Sequence, residues 1–236
     1  MSFTNSPYVA YTKISPNRNS PRNHKIDTVT IHCVVGQVSV ERLGEIFARP
    51  ARQASSNYGI GYDGKIGLYV EEKDRSWCSS SASNDHRAIT IEVASDAYPP
   101  YRVTAEAYES LIRLLVDICK RNGIPELRWK ADKSLIGKVD QQNMTVHRWF
   151  AHKECPGEYL YERHYDIANK VNQALGVGLP KGVKWQTVEM DGEKKEVRVT
   201  VVSDENYVRL RDTDDILGLA TVGYNAKTRN PTITKK

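Results

Sequence analysis

The sequence predicts an α/β protein with a mixed central β-sheet flanked by helices, followed by a small β-rich C-terminal module. Two observations lead to this prediction. Up to residue 175, runs rich in β-branched residues alternate with amphipathic segments of helical period. After residues 176–185, which read as a linker, the chain contains only short alternating runs such as KKEVRVTVV.

The first elements of the predicted sheet lie between residues 26 and 70. The run IDTVTIHCVVG is typical of a buried strand that ends at Gly36. The next segment, SVERLGEIFARP, predicts a short helix. The run SSNYGIGYDGKIGLYV then predicts a hairpin with its turn at Asp63-Gly64.

A further strand and two long helices complete the predicted domain. In RAITIEVAS, apolar and other residues alternate as in a strand. Thr104 is a suitable N-cap for the helix AEAYESLIRLLVDICKRN, and Gly123 is a suitable stop. The segment EYLYERHYDIANKVNQALG predicts the last helix, so the element order is β-α-β-β-β-α-loop-α.

Composition limits the classes of function. With 236 residues, 39% hydrophobic and 27% charged, the chain can form one domain of about 150–200 residues and a small appendage. No run approaches the ~18 apolar residues that span a bilayer, so we expect no membrane insertion. The net charge of +5 is scattered, which argues against nucleic acid and suits an anionic polymer such as a bacterial wall. The sequence leaves the oligomeric state open.

The N-terminal region is expected to precede the fold. Residues 1–25 are rich in Pro, Asn and Ser and read as an extended arm. They contain no basic segment followed by an apolar core, so we expect synthesis in the cytoplasm without a signal peptide. The four cysteines form no CxxC pair and match no compact disulfide framework, so free thiols are expected.

Residues 145–160, TVHRWFAHKECPGEYL, concentrate groups that bind metals. A catalytic zinc ion takes three protein ligands and leaves one position open. His147 and Cys155 are candidates for two of them, and His32, at the end of a buried strand, is a candidate for the third. His152 has H-x2-C spacing to Cys155, but a surface or groove histidine is the favoured interpretation. Taken alone, each of these residues is more often a core or surface group than a metal ligand.

Glu92 is unusual because it lies within the apolar strand RAITIEVAS. An isolated carboxylate is costly to bury, which favours a role as a catalytic base. The alternative is that Glu92 faces solvent, since Ile91 and Val93 point the other way.

Four segments in order, TVTIHCVVG, SSNYGIGYDGKI, RAITIEVAS and TVHRWFAHKECPG, resemble the type 2 N-acetylmuramoyl-L-alanine amidases. These are zinc enzymes of phage endolysins and bacterial autolysins, related to T7 lysozyme and to peptidoglycan-recognition proteins. The resemblance covers roughly residues 25–175. It implies that Zn²⁺ is bound by His32, His147 and Cys155, that Glu92 is the catalytic acid or base, and that Lys153 stabilises the transition state.

The function implied by the resemblance is zinc-dependent hydrolysis of the amide bond between N-acetylmuramic acid and L-alanine in bacterial peptidoglycan, which lyses the wall. The alternative is a non-catalytic peptidoglycan-binding protein of the same fold. A third interpretation, a structural or redox zinc protein, would need a fourth ligand such as His152 or Cys33. Host range and phage or bacterial origin stay open, although the compact chain resembles an endolysin released through a holin.

The resemblance also suggests residues of the substrate groove. The expected groove residues are Tyr58, Trp77, Asn84, His86 and Arg87. Some relatives use a tyrosine where others use the strand glutamate, so Tyr58 is kept as an alternative catalytic group.

Two regions depart from or extend beyond the family pattern. Many relatives carry Trp-His where this chain has Trp77-Cys78, so a substrate contact made by that histidine is in doubt. In the C-terminal module, residues 186–236, the run VRVTVVSDENYVRLRD resembles the start of an SH3-type repeat without its Gly-rich continuation. We interpret this module as wall-binding, with a dimerisation or stabilising appendage as the alternative.

Overall fold

A computed structural model describes residues 3–177, 183–190, 193–202, 205–208, 220–225 and 230–235. Its contacts divide the chain into two compact units, residues 1–175 and 176–236, which are described separately.

The first unit is built on a six-stranded mixed sheet, as the sequence predicts. Its strands are β1 (Val9–Thr12), β3 (Thr28–Val35), β4 (Tyr58–Ile60), β5 (Ile66–Leu68), β7 (Ala88–Ser95) and β8 (Met144–Thr145). Their order is β1-β5-β4-β7-β3-β8, and only the β4–β5 hairpin is antiparallel. A short ribbon pairs β2 (Arg18–Asn19) with β6 (Arg75–Ser76).

Four α-helices accompany the sheet: α1 (Val40–Phe47), α2 (Ala82–Arg87), α3 (Ala105–Asn122) and α4 (Gly157–Leu175). The predicted boundaries of α3 are confirmed: the Thr104 side chain accepts a hydrogen bond from the Ala107 N–H, and Gly123 ends the helix with a left-handed φ of 65°. None of the described helices is both long and apolar enough to cross a membrane.

The two faces of the sheet have different characters. Apolar residues of β3 and β7, such as Ile31 and Ile91, form the main core with α3 and α4. Because side chains alternate along a strand, Thr30, His32 and Glu92 lie on the opposite face. This face therefore carries the polar groups from which the site is built.

The stretch expected to be an extended arm forms part of the fold. Strand β1 pairs in parallel with β5, and β2 pairs with β6. Ser15 and Asn17 are buried and bond to the carbonyl oxygen of Phe47, at 2.6 and 3.4 Å. The polar composition predicts an arm outside the fold, but here polar side chains form hydrogen bonds to a buried backbone carbonyl group.

The described residues of the second unit form five strands in antiparallel sheets. Strands β9 (Val183–Met190), β10 (Glu193–Val202) and β11 (Glu205–Val208) form one sheet in the order β11-β10-β9, and β12 (Ala220–Asn225) pairs with β13 (Asn230–Lys235). Part of the expected linker, residues 178–182, lies outside the described residues, and β9 begins within its last three positions.

Candidate active site

Two imidazoles and a thiol converge at one end of the sheet. The donor atoms of His32, His147 and Cys155 all lie within 4.8 Å of one another. His32 Nδ1 is 3.4 Å from Cys155 Sγ, and the two imidazole ring centroids are 5.1 Å apart. This arrangement is a set of three donors that could hold a metal ion.

The topology explains how residues so distant in sequence meet. His32 lies in the second half of β3, which pairs in parallel with β8. His147 follows β8 directly, in a short 3-10 turn, and therefore reaches the same edge of the sheet. Cys155 lies just before the N-terminus of α4, whose packing on the sheet brings the thiol to this edge.

A serine-containing turn lies against both imidazoles. Ser79 Oγ is 3.2 Å from His32 Nε2, and Ser80 Oγ is 3.0 Å from His147 Nε2. The buried Asp85 carboxylate accepts a hydrogen bond of 3.0 Å from the Ser79 backbone N–H, which fixes the turn. Partners of this kind orient a metal-binding histidine through its other ring nitrogen.

The local environment keeps both imidazoles neutral. Burial, followed by the neighbouring His147, holds the pKa of His32 well below its usual value, and burial also lowers the pKa of His147. A neutral imidazole is the form that binds a metal. A hydrogen bond with Cys33, together with burial, raises the pKa of the Cys155 thiol, and a bound cation would act in the opposite direction.

Glu92 lies beside the donor set because it is paired with His32 in the β3–β7 ladder. Its Oε1 is 3.8 Å from Cys78 Sγ, and its Oε2 is buried without a hydrogen-bond partner among the described residues. Burial raises the pKa of this carboxyl to about 8. A buried carboxylate oxygen without a partner is available to a substrate, a water molecule or an ion.

Lys153 is exposed and borders two cavities. One, of about 370 Å³, is also lined by His147, Trp77, Arg52 and Arg75. The other, of about 340 Å³, lies along the start of α4. Lys153, two positions before Cys155, therefore lies between the two cavities that it lines. We call the 370 Å³ cavity the groove.

Tyr101 holds the loop that carries Lys153 and Cys155. Its hydroxyl donates a hydrogen bond of 2.8 Å to Glu154 Oε2. A Cβ atom on Gly157 would lie 2.8 Å from the Cβ of Tyr101, so only glycine permits this contact. Tyr101 itself has a φ of 61°, a conformation that a non-glycine residue adopts at an energetic cost. No residue pattern in the sequence indicates this contact.

The residues expected in the groove have different locations. Trp77 and Cys78 line it. His86 is half-buried, and its Nδ1 accepts a 3.0 Å hydrogen bond from the Asn23 N–H. Four of the five predicted groove residues are not among its lining residues: Tyr58, Asn84, His86 and Arg87.

Tyr58 does not line the groove, contrary to the prediction. Its side chain is fully buried, and its hydroxyl donates a 2.7 Å hydrogen bond to Glu72. It therefore belongs to the core and is not in a position to act as a catalytic group.

Asn84 and Arg87 are likewise structural. Asn84 is buried and donates hydrogen bonds to Thr30 Oγ1 (3.0 Å) and Ser79 Oγ (3.2 Å), beneath the donor set. Arg87 makes two hydrogen bonds, of 3.0 and 2.7 Å, to the Asp27 carboxylate.

The two candidates for a fourth metal ligand do not converge with His32, His147 and Cys155, which we call the first donor set. His152 is exposed, and neither His152 nor Cys33 belongs to a group of three or more converging donors in the described part of the chain. A set of three donors leaves a position open for substrate or water, as in catalytic sites.

Comparison with known proteins identifies the family. The model of the N-acetylmuramoyl-L-alanine amidase family matches residues 22–158, more than half of the chain. The chain belongs to this family. The resemblance to type 2 amidases is thereby confirmed, and with it the enzyme class and a peptidoglycan substrate.

Solved structures of similar fold, all under 25% identical, include one that is named as an endolysin. A mutant endolysin from Bacillus subtilis has a TM-score of 0.51 at 16% identity, covering 68% of this amidase and 97% of that chain. An AmpD derivative has a TM-score of 0.52 at 17% identity, covering 71% and 99%. The PlyG catalytic domain has a TM-score of 0.52 at 13% identity, covering 72% and 97%. These likenesses support the fold. A comparison with curated proteins finds no match.

Proposed function

We propose that the amidase hydrolyses the bond between N-acetylmuramic acid and L-alanine with the help of a zinc ion, and that this reaction lyses the wall. The observation that carries the proposal is the convergence of His32, His147 and Cys155 beside Glu92, one oxygen of which has no hydrogen-bond partner among the described residues. Two neutral imidazoles and a thiol are a donor set that suits zinc.

Zinc in such a site supplies a Lewis acid that polarises a carbonyl group and makes a nearby water more acidic. His32, His147 and Cys155 would hold it, with the first two oriented by Ser79 and Ser80. Glu92 lies next to these donors, since it is paired with His32 in the β3–β7 ladder.

Glu92 and Lys153 divide the remaining chemistry. In its ionised form, which a nearby cation would favour, Glu92 accepts a proton from the attacking water, whose oxygen forms a bond to the lactyl carbonyl carbon. As the C–N bond breaks, the same proton passes to the departing nitrogen of L-alanine. Lys153 faces the negative charge that develops on the carbonyl oxygen, where a fixed cation has its largest effect on rate.

The proposed reaction has a diagnostic product. Purified peptidoglycan treated with the full-length protein should gain free amino groups on L-alanine and no new reducing sugar ends. Metal content measured on the same sample should show zinc. Wall binding without amino-group release would favour the non-catalytic alternative, and new reducing ends would show that another bond is cut.

We also propose that the second unit, which is compact in itself, binds the wall, because its run VRVTVVSDENYVRLRD resembles the start of an SH3-type repeat. A chain ending at Leu175 should fold, retain its metal and cleave small soluble wall fragments at close to the full-length rate. It should pellet less with insoluble walls. The proposal fails if the shortened chain does not fold, or if its wall binding matches that of the full chain.

A further inference from the structure

The site contains a second set of converging donors. His32, Cys78 and Glu92 also offer three ligand atoms within 4.8 Å of one another. No role assigned above uses the thiol of Cys78. Imidazole, thiolate and carboxylate are all ligands that zinc accepts.

Two further observations point to an ion at this set. Glu92 Oε2 is buried and makes no hydrogen bond within the described residues, whereas buried polar atoms normally have a partner. The other oxygen of Glu92 is 3.8 Å from Cys78 Sγ, so the two donors are already close to one another. Cys78 also lines the groove, which gives an ion a path from solvent.

We propose that His32, Cys78 and Glu92 form an alternative binding site for a zinc-type divalent ion, in competition with the first set. A neutral imidazole has a single nitrogen lone pair to offer, so His32 serves one set at a time. An ion in the alternative site occupies the Glu92 carboxylate and leaves the amidase without its base. The inference rests on the proposed role of His32 in metal binding.

Cobalt(II) provides a test that does not depend on activity. A cysteine thiolate bound to cobalt gives a charge-transfer absorption band, which reports which thiol is a ligand. We would titrate the metal-free full-length protein, Cys78→Ser, Cys155→Ser and the double variant with cobalt(II), and confirm folding by circular dichroism. Cys155→Ala serves as a second variant if Cys155→Ser does not fold.

The expected pattern separates the two sites. Wild type and Cys78→Ser should show the band through Cys155, and Cys155→Ser should retain a band through Cys78 at weaker affinity. The double variant should lose the band. Adding Glu92→Gln to Cys155→Ser should weaken cobalt binding further, because a carboxylate ligand is lost.

Three outcomes contradict one proposal or the other. A folded Cys155→Ser protein without the band would overturn the alternative site. A band that persists in the double variant and disappears with Cys33→Ser would also overturn it, because Cys33 would then be the ligand. Absence of the band from Cys78→Ser, with the band present in Cys155→Ser, would instead reject Cys155 in the proposed catalytic set.

Discussion

Replacing Glu92 by glutamine should lower the turnover number for amide hydrolysis by about 10²–10⁴-fold. Glutamine keeps the shape of the side chain but cannot accept the proton of the attacking water. Glu92 lies opposite His32 in the ladder and is not in the first donor set, so the variant should keep its metal and its wall binding. The measurement is release of L-alanine amino groups from purified walls, with metal content determined on the same samples.

The control for this variant is Glu109→Gln, an exposed position on α3 that should behave as wild type. A near-normal rate for Glu92→Gln would place the base elsewhere. Tyr58 is excluded as a substitute because its hydroxyl is buried against Glu72. Loss of metal from the glutamine variant would show that Glu92 is itself a ligand of the catalytic ion.

Replacing Lys153 by methionine should lower the turnover number by about 10²–10³-fold. Methionine keeps an unbranched apolar stem and removes the charge that faces the developing oxyanion. Because this charge arises mainly in the transition state, KM should change much less than the turnover number. Metal content should be unchanged, since Lys153 lies beside the donor set without belonging to it.

Lys153→Arg is the matched variant, because it keeps a cation at the same position and should lose less activity than the methionine variant. Equal losses for arginine and methionine would indicate that the fit of the side chain matters and its charge does not. A rise in KM with an unchanged turnover number would show that Lys153 only binds substrate.

Much of the fold could be predicted, because the periodicity of the main strands and long helices is clear. The alternation in RAITIEVAS places Ile91 and Glu92 on opposite faces, and in the structure Ile91 lies in the core whereas Glu92 does not. The N-terminal strand was missed because β1 is short and its partners are backbone groups of β5, 50 or more residues away. Pairing of that kind leaves no local hydrophobic pattern.

The proximity of the candidate ligands could be anticipated from four motifs in order, but the surroundings of the site could not. All three residues of β4 are buried, so alternation does not reveal which face Tyr58 occupies. The roles of Ser79, Asp85 and Tyr101 depend on hydrogen bonds between segments that are distant in sequence or in turns, and no residue pattern indicates them. Such contacts follow from the tertiary structure.

The pairing of His32 with Glu92 in adjacent parallel strands also bears on folding fidelity. A slip of β3 by one residue would turn His32 into the apolar layer beneath α3 and α4, and the same slip in β7 would turn Glu92 there. Either error would bury an uncompensated polar side chain and remove a residue of the proposed catalytic machinery. Misregistered molecules should therefore be both unstable and inactive, so the specific activity of a preparation would report the fraction with correct strand alignment.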